Sequence, residues 1–136
     1  MSKELSLERK FVDSNVFLYV LRADPRYGER AKELLRDQGL VTSTLVVSQV
    51  IAHLERKSSL NAVTPFLEFL EEHPVEVIPT TLDDFVRAIN LAKKENLSLK
   101  MWDDLIIASQ MMKMGIRVVL SNDSDFDRIG RIVRIF

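Results

Sequence analysis

The chain has 136 residues, which is enough for one domain with a buried core. Apolar residues make up 46% of it and charged residues 29%, a composition that indicates a globular protein and excludes an intrinsically disordered one. Its net charge is −1, whereas general nucleic-acid coat proteins and membrane-surface proteins are usually strongly basic.

The sequence contains neither a cysteine nor a segment that resembles a targeting or membrane-spanning helix. Without cysteine there can be no disulfide, thiol nucleophile or thiolate metal site, and this suits a reducing compartment. The first ten residues, MSKELSLERK, lack the apolar run of a signal peptide. No stretch approaches the roughly eighteen apolar residues of a membrane span. We therefore expect a cytoplasmic protein without membrane contact.

Strands and helices are predicted to alternate along residues 10–136, after a frayed tail over residues 1–9. In chain order we predict strand 10–13, helix 15–22, helix 24–39, strand 40–43, helix 44–57, helix 61–73, strand 75–79, helix 81–94, helix 98–115, strand 117–121 and a short strand 131–136. Such alternation requires parallel strand pairing and right-handed crossovers. The sequence thus predicts a single α/β domain, with helices on both faces of a parallel sheet of four to five strands.

Several of these helices carry residues that favour helix ends. Asp24 can cap the helix 24–39, and Gly39 can end it. Thr81 and Asp84 have the spacing of a capping box at the start of the helix 81–94. Gly115 can end the helix 98–115.

Carboxylates cluster after the fourth predicted strand, where VVLSNDSDFDR (118–128) places Asp123, Asp125 and Asp127 close together. A polar turn explains this cluster by itself. However, sites in open parallel sheets form beyond the carboxyl ends of the strands, where the strand order reverses. Asp13 sits at the carboxyl end of the first strand. If the first and fourth strands are neighbours, Asp13 and Asp123 face one cleft.

A second pair of acids, Asp103 and Asp104, lies in the first turn of the helix that leads to the fourth strand. Stabilisation of the helix dipole explains this pair without any function, and Asp13 or Ser14 can simply cap the first helix. Taken together, however, these acids come from three segments that converge on one edge of the sheet. Close carboxylates repel unless they share a cation or a proton, and oxygen ligands suit Mg²⁺ or Mn²⁺. This chemistry favours metal-assisted phosphodiester hydrolysis.

Three motifs in this order, FVDSNVFLYVL, WDDLIIAS and LSNDSDFDRI, resemble those of the PIN domain family, and most closely its VapC-type toxin ribonucleases. The resemblance spans residues 10–136. It implies a three-layer, Rossmann-like α/β/α fold with an acidic cluster that binds Mg²⁺ or Mn²⁺. It also implies cleavage of RNA by a metal-activated water, leaving a 5′-phosphate and a 3′-hydroxyl. The partners that it implies are a cognate antitoxin protein and a second copy of the chain in a homodimer.

The resemblance also implies roles for individual residues. The catalytic acids would be Asp13, Asp103 and Asp123, and the metal ligands would be these three together with Asp125. Asn15 and Ser121 would support them, while Asp104 occupies a position that is usually small in the family.

The second family acid falls at position 49, where this chain has glutamine. Gln49 keeps an oxygen ligand but lacks the negative charge, which should weaken metal binding. Glu55 lies on another face of the helix and cannot replace it. His53 shares the face of Gln49, either as a compensating ligand or as a structural residue.

Two functions therefore remain open: a toxin-type endoribonuclease, and a PIN-fold RNA- or protein-binding module with weakened or lost catalysis. A receiver-like or flavodoxin-like domain is disfavoured; a receiver needs a lysine after its last strand, and none follows Lys113. Any polyanion would have to bind a local basic patch. The candidates in sequence are Arg9 with Lys10, then Lys93, Lys94 and Lys100, and finally Arg128, Arg131 and Arg134.

Overall fold

Five parallel strands form the central sheet of the computed structural model, which describes residues 8–136. They are β1 (Lys10–Val12), β2 (Leu40–Ser43), β3 (Glu76–Ile78), β4 (Val118–Leu120) and β5 (Val133–Ile135). Their order across the sheet is β3-β2-β1-β4-β5, and every pairing is parallel. The predicted parallel sheet is confirmed, including its fifth strand. The frayed tail predicted over residues 1–9 lies almost wholly outside the described residues.

Within residues 8–136, six α-helices cover the two faces of the sheet. They are α1 (Ser14–Leu21), α2 (Gly28–Leu35), α3 (Thr44–Arg56), α4 (Val63–Glu72), α5 (Leu82–Glu95) and α6 (Trp102–Met114). Helix α1 packs against α2 and α3, whereas α5 packs against α6. Right-handed crossovers place the helices that connect β1 to β3 on one face, and those that lead back to β4 on the other. This arrangement confirms the three-layer α/β/α fold.

The strand order reverses between β1 and β4, which pair in the middle of the sheet. Val12 lies opposite Leu120, the last residue of β4. The backbone N–H of Asp13 donates to the carbonyl oxygen of Leu120 over 3.1 Å, so the two chains are still paired as they leave the sheet. Asp13 and Ser121 therefore emerge side by side at the carboxyl edge, where α/β sheets bind their ligands.

Helix α6 is buried on every side along most of its length. All residues from Asp104 to Met111 are buried, and the run 105–108 is apolar on every side of the helix. A helix of this kind belongs to the core and not to the surface. Its first turn consequently carries the side chain of Asp104 into a region from which water is largely excluded.

The helix predicted over residues 24–39 is too long, because α2 begins only at Gly28 and ends at Leu35. One carboxylate oxygen of Asp24 accepts the backbone N–H groups of Arg26 and Tyr27, and these bonds close a turn before the helix. The capping box of Thr81 and Asp84 is confirmed at the start of α5. Within residues 8–136, the helices lack the length and apolar character needed to cross a bilayer.

Candidate active site

Asp13 is held rigidly at the carboxyl end of β1, where it also caps α1. Its Oδ1 accepts the backbone N–H of Ser14 over 2.7 Å, and its Oδ2 accepts the hydroxyl of Ser121 over 2.8 Å. The side chain is 5% exposed. Burial raises the pKa of Asp13; the bonds from Ser121 and Ser14 oppose this, and the charges of Asp123 and Asp103 reinforce it.

Ser121 and Asn15 connect the ends of β1 and β4 through their side chains. The amide nitrogen of Asn15 donates to Ser121 Oγ over 3.0 Å and to Asp13 Oδ2 over 3.3 Å. Its amide oxygen accepts the backbone N–H of Asn122. Ser121 Oγ also accepts the backbone N–H of Asp123, at 3.0 Å. The polar residues predicted to support the acids thus lie among them and fix the direction in which the chain leaves β4.

Three carboxylates meet beside this network, those of Asp104, Asp123 and Asp125. One oxygen atom from each lies within 4.8 Å of the corresponding atoms of the other two. Asp123 is the third residue after β4 and caps the short helical turn Ser124–Arg128, accepting the backbone N–H of Asp125 over 2.9 Å. No lysine, arginine or histidine of residues 8–136 forms an ion pair with any member of this group. We call it the carboxylate group.

Asp104 has the most perturbed environment in the carboxylate group. Burial raises its pKa to about 8, aided by the charge of Asp13, by the charge of and a hydrogen bond with Asp123, and by the charge of Asp125. At neutral pH the metal-free site therefore retains a proton on Asp104. A proton shared among carboxylates occupies the place that a divalent cation would otherwise take.

Asp103 and Asp127 lie outside the carboxylate group. Asp103 is exposed, although its charge acts on Asp13, and its role as a ligand stays a prediction. Asp127 is exposed and makes two hydrogen bonds to Arg134, at 3.0 and 3.1 Å. Asp104, which the sequence reading placed at a usually small position, is instead the acid of α6 that joins the group. The apolar run of residues 105–108 gave no polar face by which to orient the two adjacent acids.

The donor set fits a hard divalent cation. Carboxylate oxygens without a neutralising cation are the ligands that Mg²⁺ and Mn²⁺ prefer. On α3, the side-chain oxygen of Gln49 is buried and lacks a hydrogen-bond partner among the described residues. A buried acceptor without a donor is costly, so the side-chain oxygen of Gln49 is not committed to the described part of the fold.

Some of the basic patches identified in the sequence are occupied by ion pairs. Arg9 contacts Glu76, Lys10 contacts Asp37 over 3.0 Å, and Arg134 is bound to Asp127. These cations are thus partly neutralised. His53 lies in a cleft with Arg22 beside the site, a juxtaposition that the sequence reading did not identify.

A parallel α/β/α sheet with acids at its switch point defines a Rossmann-like class of proteins with an acidic site. Within that class, the family model of the PIN domain matches residues 10–132. The chain belongs to the PIN domain family. No curated protein sequence shows significant similarity to it.

Solved structures of toxins and toxin–antitoxin complexes share this fold. VapC20 of Mycobacterium tuberculosis, a sarcin-ricin loop cleaving toxin, is 21% identical with a TM-score of 0.79, covering 93% of this chain and 98% of its own. VapBC2 from Rickettsia felis, bound to a promoter DNA fragment, is 18% identical with a TM-score of 0.68, covering 93% and 96%. DNA-bound VapBC from Salmonella typhimurium is 18% identical with a TM-score of 0.67, covering 94% and 97%.

Proposed function

We propose that the protein is a metal-dependent endoribonuclease of the toxin type, which hydrolyses RNA phosphodiesters to leave a 5′-phosphate and a 3′-hydroxyl. The observation that carries this proposal is the carboxylate group at the strand-order reversal, three close acids that form no ion pair within residues 8–136. RNA as the substrate class is what the resemblance to the PIN-domain toxin ribonucleases implies, and it is supported by the similarity to VapC20, a sarcin-ricin loop cleaving toxin.

The residues that would hold Mg²⁺ or Mn²⁺ are Asp104, Asp123 and Asp125, with Asp13 beside them. When bound, such an ion would activate a water molecule and neutralise charge on the phosphate. The chain itself orients the acids: Ser121 and Asn15 fix Asp13, and the backbone turn fixes Asp123. The proton that Asp104 holds in the metal-free protein would leave its carboxylate as the cation binds.

The proposal extends to partners and location. An antitoxin protein would hold the enzyme inactive, as suggested by the similarity to toxin–antitoxin complexes from several bacteria. We also propose that the protein forms a homodimer and acts in the cytoplasm.

Replacing Asp123 by asparagine tests this function with little change in shape. We expect the unaltered protein to bind Mn²⁺ with a dissociation constant in roughly the micromolar-to-millimolar range, and to cleave RNA only when the metal is present. Asp123→Asn should weaken Mn²⁺ binding at least about tenfold, because it removes a charge beside the ion, and should abolish cleavage. Calorimetry measures the first quantity, and gel analysis of labelled RNA measures the second.

Asp127→Asn is the matched control, since it makes the same change in the same turn outside the carboxylate group. It should leave Mn²⁺ affinity and cleavage near their original values. Cleavage that survives Asp123→Asn but disappears in Asp125→Asn would show that Asp125, and not Asp123, is the essential acid. Cleavage that persists in a chelator would overturn the metal-dependent mechanism.

A second candidate function is a PIN-fold module that binds RNA or protein with weakened or lost catalysis. Gln49 favours it, because the neutral amide stands where the resemblance implies an acid. The same titration separates the two functions. Binding of RNA without measurable Mn²⁺ affinity or cleavage would support the binding module.

A further inference from the structure

A cleft of about 270 Å³ opens between α1 and α3, next to the candidate active site. The residues that line it are Asn15, Leu18, Tyr19, Arg22, Asp24 and His53. It thus brings together an aromatic ring, an imidazole and a guanidinium, the groups on which proteins stack and pair single-stranded RNA. Its volume falls just below the roughly 300 Å³ of the smallest drug-sized pockets, which suits a single nucleotide.

Two residues of the cleft also belong to the active-site network. Asn15 bonds to Asp13 and Ser121 on one side and lines the cleft on the other. The hydroxyl of Tyr19 accepts the side-chain amide of Asn122 over 3.1 Å, one residue before Asp123. The cleft is therefore separated from the acids by the thickness of one side chain, so a ligand in it would lie beside the reacting phosphate.

Positive charge surrounds the cleft on the side away from the acids. Arg22 ends α1, while Arg56 and Lys57 lie at the end of α3; within residues 8–136 these three form no ion pair. Burial lowers the pKa of His53, and the charges of Arg56, Arg22 and Lys57 lower it further. Three cations therefore act on this one imidazole, in a chain whose net charge is −1.

Asp24 is the acid that lines the same cleft, but its role lies in the fold. Its Oδ1 accepts the backbone N–H groups of Arg26 and Tyr27, at 2.8 and 2.9 Å. These bonds hold the turn between α1 and α2. Arg22 itself is exposed and stands free to meet an anion.

We propose that this cleft is a subsite for the nucleotide next to the scissile phosphate, with Arg22 pairing its phosphate and His53 and Tyr19 contacting its ribose or base. The proposal rests on the proposed function, because it takes RNA as the substrate. An RNA strand is repelled by the uncovered acids, so its flanking phosphates need a cationic surface close by. The α1–α3 cleft supplies this surface within one side chain of Asp13.

Binding of a labelled single-stranded RNA of about 10 nucleotides tests the subsite. Asp123→Asn serves as a background that cannot cleave, and chelator keeps metal out of the measurement. In this background Arg22→Ala should weaken binding about three- to tenfold, and should reduce the slope of log affinity against log salt by roughly one unit between about 50 and 200 mM KCl. His53→Ala should weaken binding to a similar degree with an unchanged slope, because a histidine with a lowered pKa is neutral at pH 7.5.

Arg117→Ala is the charge-matched control. Arg117 precedes β4, at the opposite edge of the sheet from the site, and its side chain is 70% exposed. Removing it should change the RNA affinity by less than about twofold. The circular dichroism spectra of Arg22→Ala and His53→Ala should match that of the background. With Asp123 restored, Arg22→Ala should keep the Mn²⁺ affinity of the unaltered protein. If His53→Ala unfolds, His53→Gln replaces it.

The outcomes separate this inference from the proposed function. RNA binding that is equal in the background, Arg22→Ala and His53→Ala overturns the subsite, yet leaves metal-dependent cleavage intact. A background that does not bind RNA also overturns it, and cleavage by the unaltered protein then decides the function separately. If poly-glutamate binding is lost in Arg22→Ala while RNA binding is not, the cleft is a site for an acidic peptide, and the RNA subsite is wrong.

Discussion

Asp84 and Asp104 are buried aspartates on neighbouring helices, α5 and α6, but the groups around them are opposite in character. Asp84 is 0% exposed and Asp104 is 8% exposed. The carboxylate of Asp84 faces hydrogen-bond donors, whereas that of Asp104 faces other carboxylates. Similar burial thus produces opposite electrostatics.

Asp84 is satisfied on both oxygens. Oδ1 accepts the ammonium group of Lys113 over 2.7 Å, and Oδ2 accepts the backbone N–H of Thr81 and the amide of Gln110 at 2.9 and 3.1 Å. Burial alone would raise the pKa of Asp84, but the bonds from these three residues outweigh it and lower the pKa. Asp84 therefore fastens α5 to α6 as an ionised, paired group.

Among the described residues no such donor bonds to Asp104, and burial with like charges raises its pKa to about 8. An acid placed in this way does not stabilise the fold by itself. The comparison teaches that burial does not distinguish a structural acid from a functional one. The neighbouring groups distinguish them: hydrogen-bond donors surround the carboxylate of Asp84, whereas further carboxylates surround that of Asp104.

The largest change in the free energy of unfolding should come from removing the carboxylate of Asp84. Asp84→Ala removes the partner of Lys113 and Gln110 together with half of the capping box, and should lower the free energy of unfolding by about 2–3 kcal/mol. Urea denaturation at pH 7 measures this change. Asp83→Ala is the control on the same helix; its pair with Arg87 is exposed, so its loss should change the free energy of unfolding far less. Equal losses in the two variants would contradict the structural role of Asp84.

Removing the charge of Asp104 should change the free energy of unfolding by a smaller amount and in the opposite direction. In metal-free protein at pH 8, Asp104→Asn should raise the free energy of unfolding by about 2 kcal/mol. This is well below the free energy that the whole pKa shift would correspond to, because water still reaches part of the carboxylate. Folded Asp104 keeps a proton that the unfolded chain releases from its ordinary pKa of 3.8 upward, so stability falls as pH rises from about 4 to 8. The variant should lose this slope.

Urea denaturation in chelator at pH 5 and pH 8 measures that slope, with Asp103→Asn as the adjacent exposed control. Asp84 has the opposite linkage: its lowered pKa stabilises the fold above about pH 4, and this contribution disappears as pH falls below that value. If Asp104→Asn destabilised the metal-free protein at pH 8, Asp104 would belong with Asp84 as a structural acid.

The smallest of the three free-energy changes should come from adding an acid at position 49, and it concerns metal binding. Gln49→Glu places a carboxylate where, within residues 8–136, no donor bonds to the buried amide oxygen. If this position faces the carboxylate group, Mn²⁺ should bind about ten- to thirtyfold more tightly, or about 1–2 kcal/mol, after part of the attraction is offset by desolvation. Calorimetry measures it, with Ser48→Glu as an exposed neighbour that should change nothing. Unchanged affinity in Gln49→Glu would leave position 49 outside the metal site.

Local sequence pattern was sufficient for the sheet, for most helices and for the meeting of Asp13 with Asp123. These follow from strand ends and capping residues, which act over a few positions. The choice between Asp103 and Asp104 depends on how α6 is rotated, and a helix that is apolar all round carries no periodicity to fix it. The cleft of Arg22 and His53 depends on the packing of α1 against α3, a contact that no local pattern encodes.

The hydrogen bond between Asp13 and Ser121 joins residues 108 positions apart. Contacts of such high sequence separation form late, because a long loop must close before they are made. While the ribosome is still synthesising β4, Asp13 and Asp104 exist without Ser121, Asp123 and Asp125. A nascent chain therefore has no assembled site, and any nuclease activity is withheld until translation of the domain is almost finished.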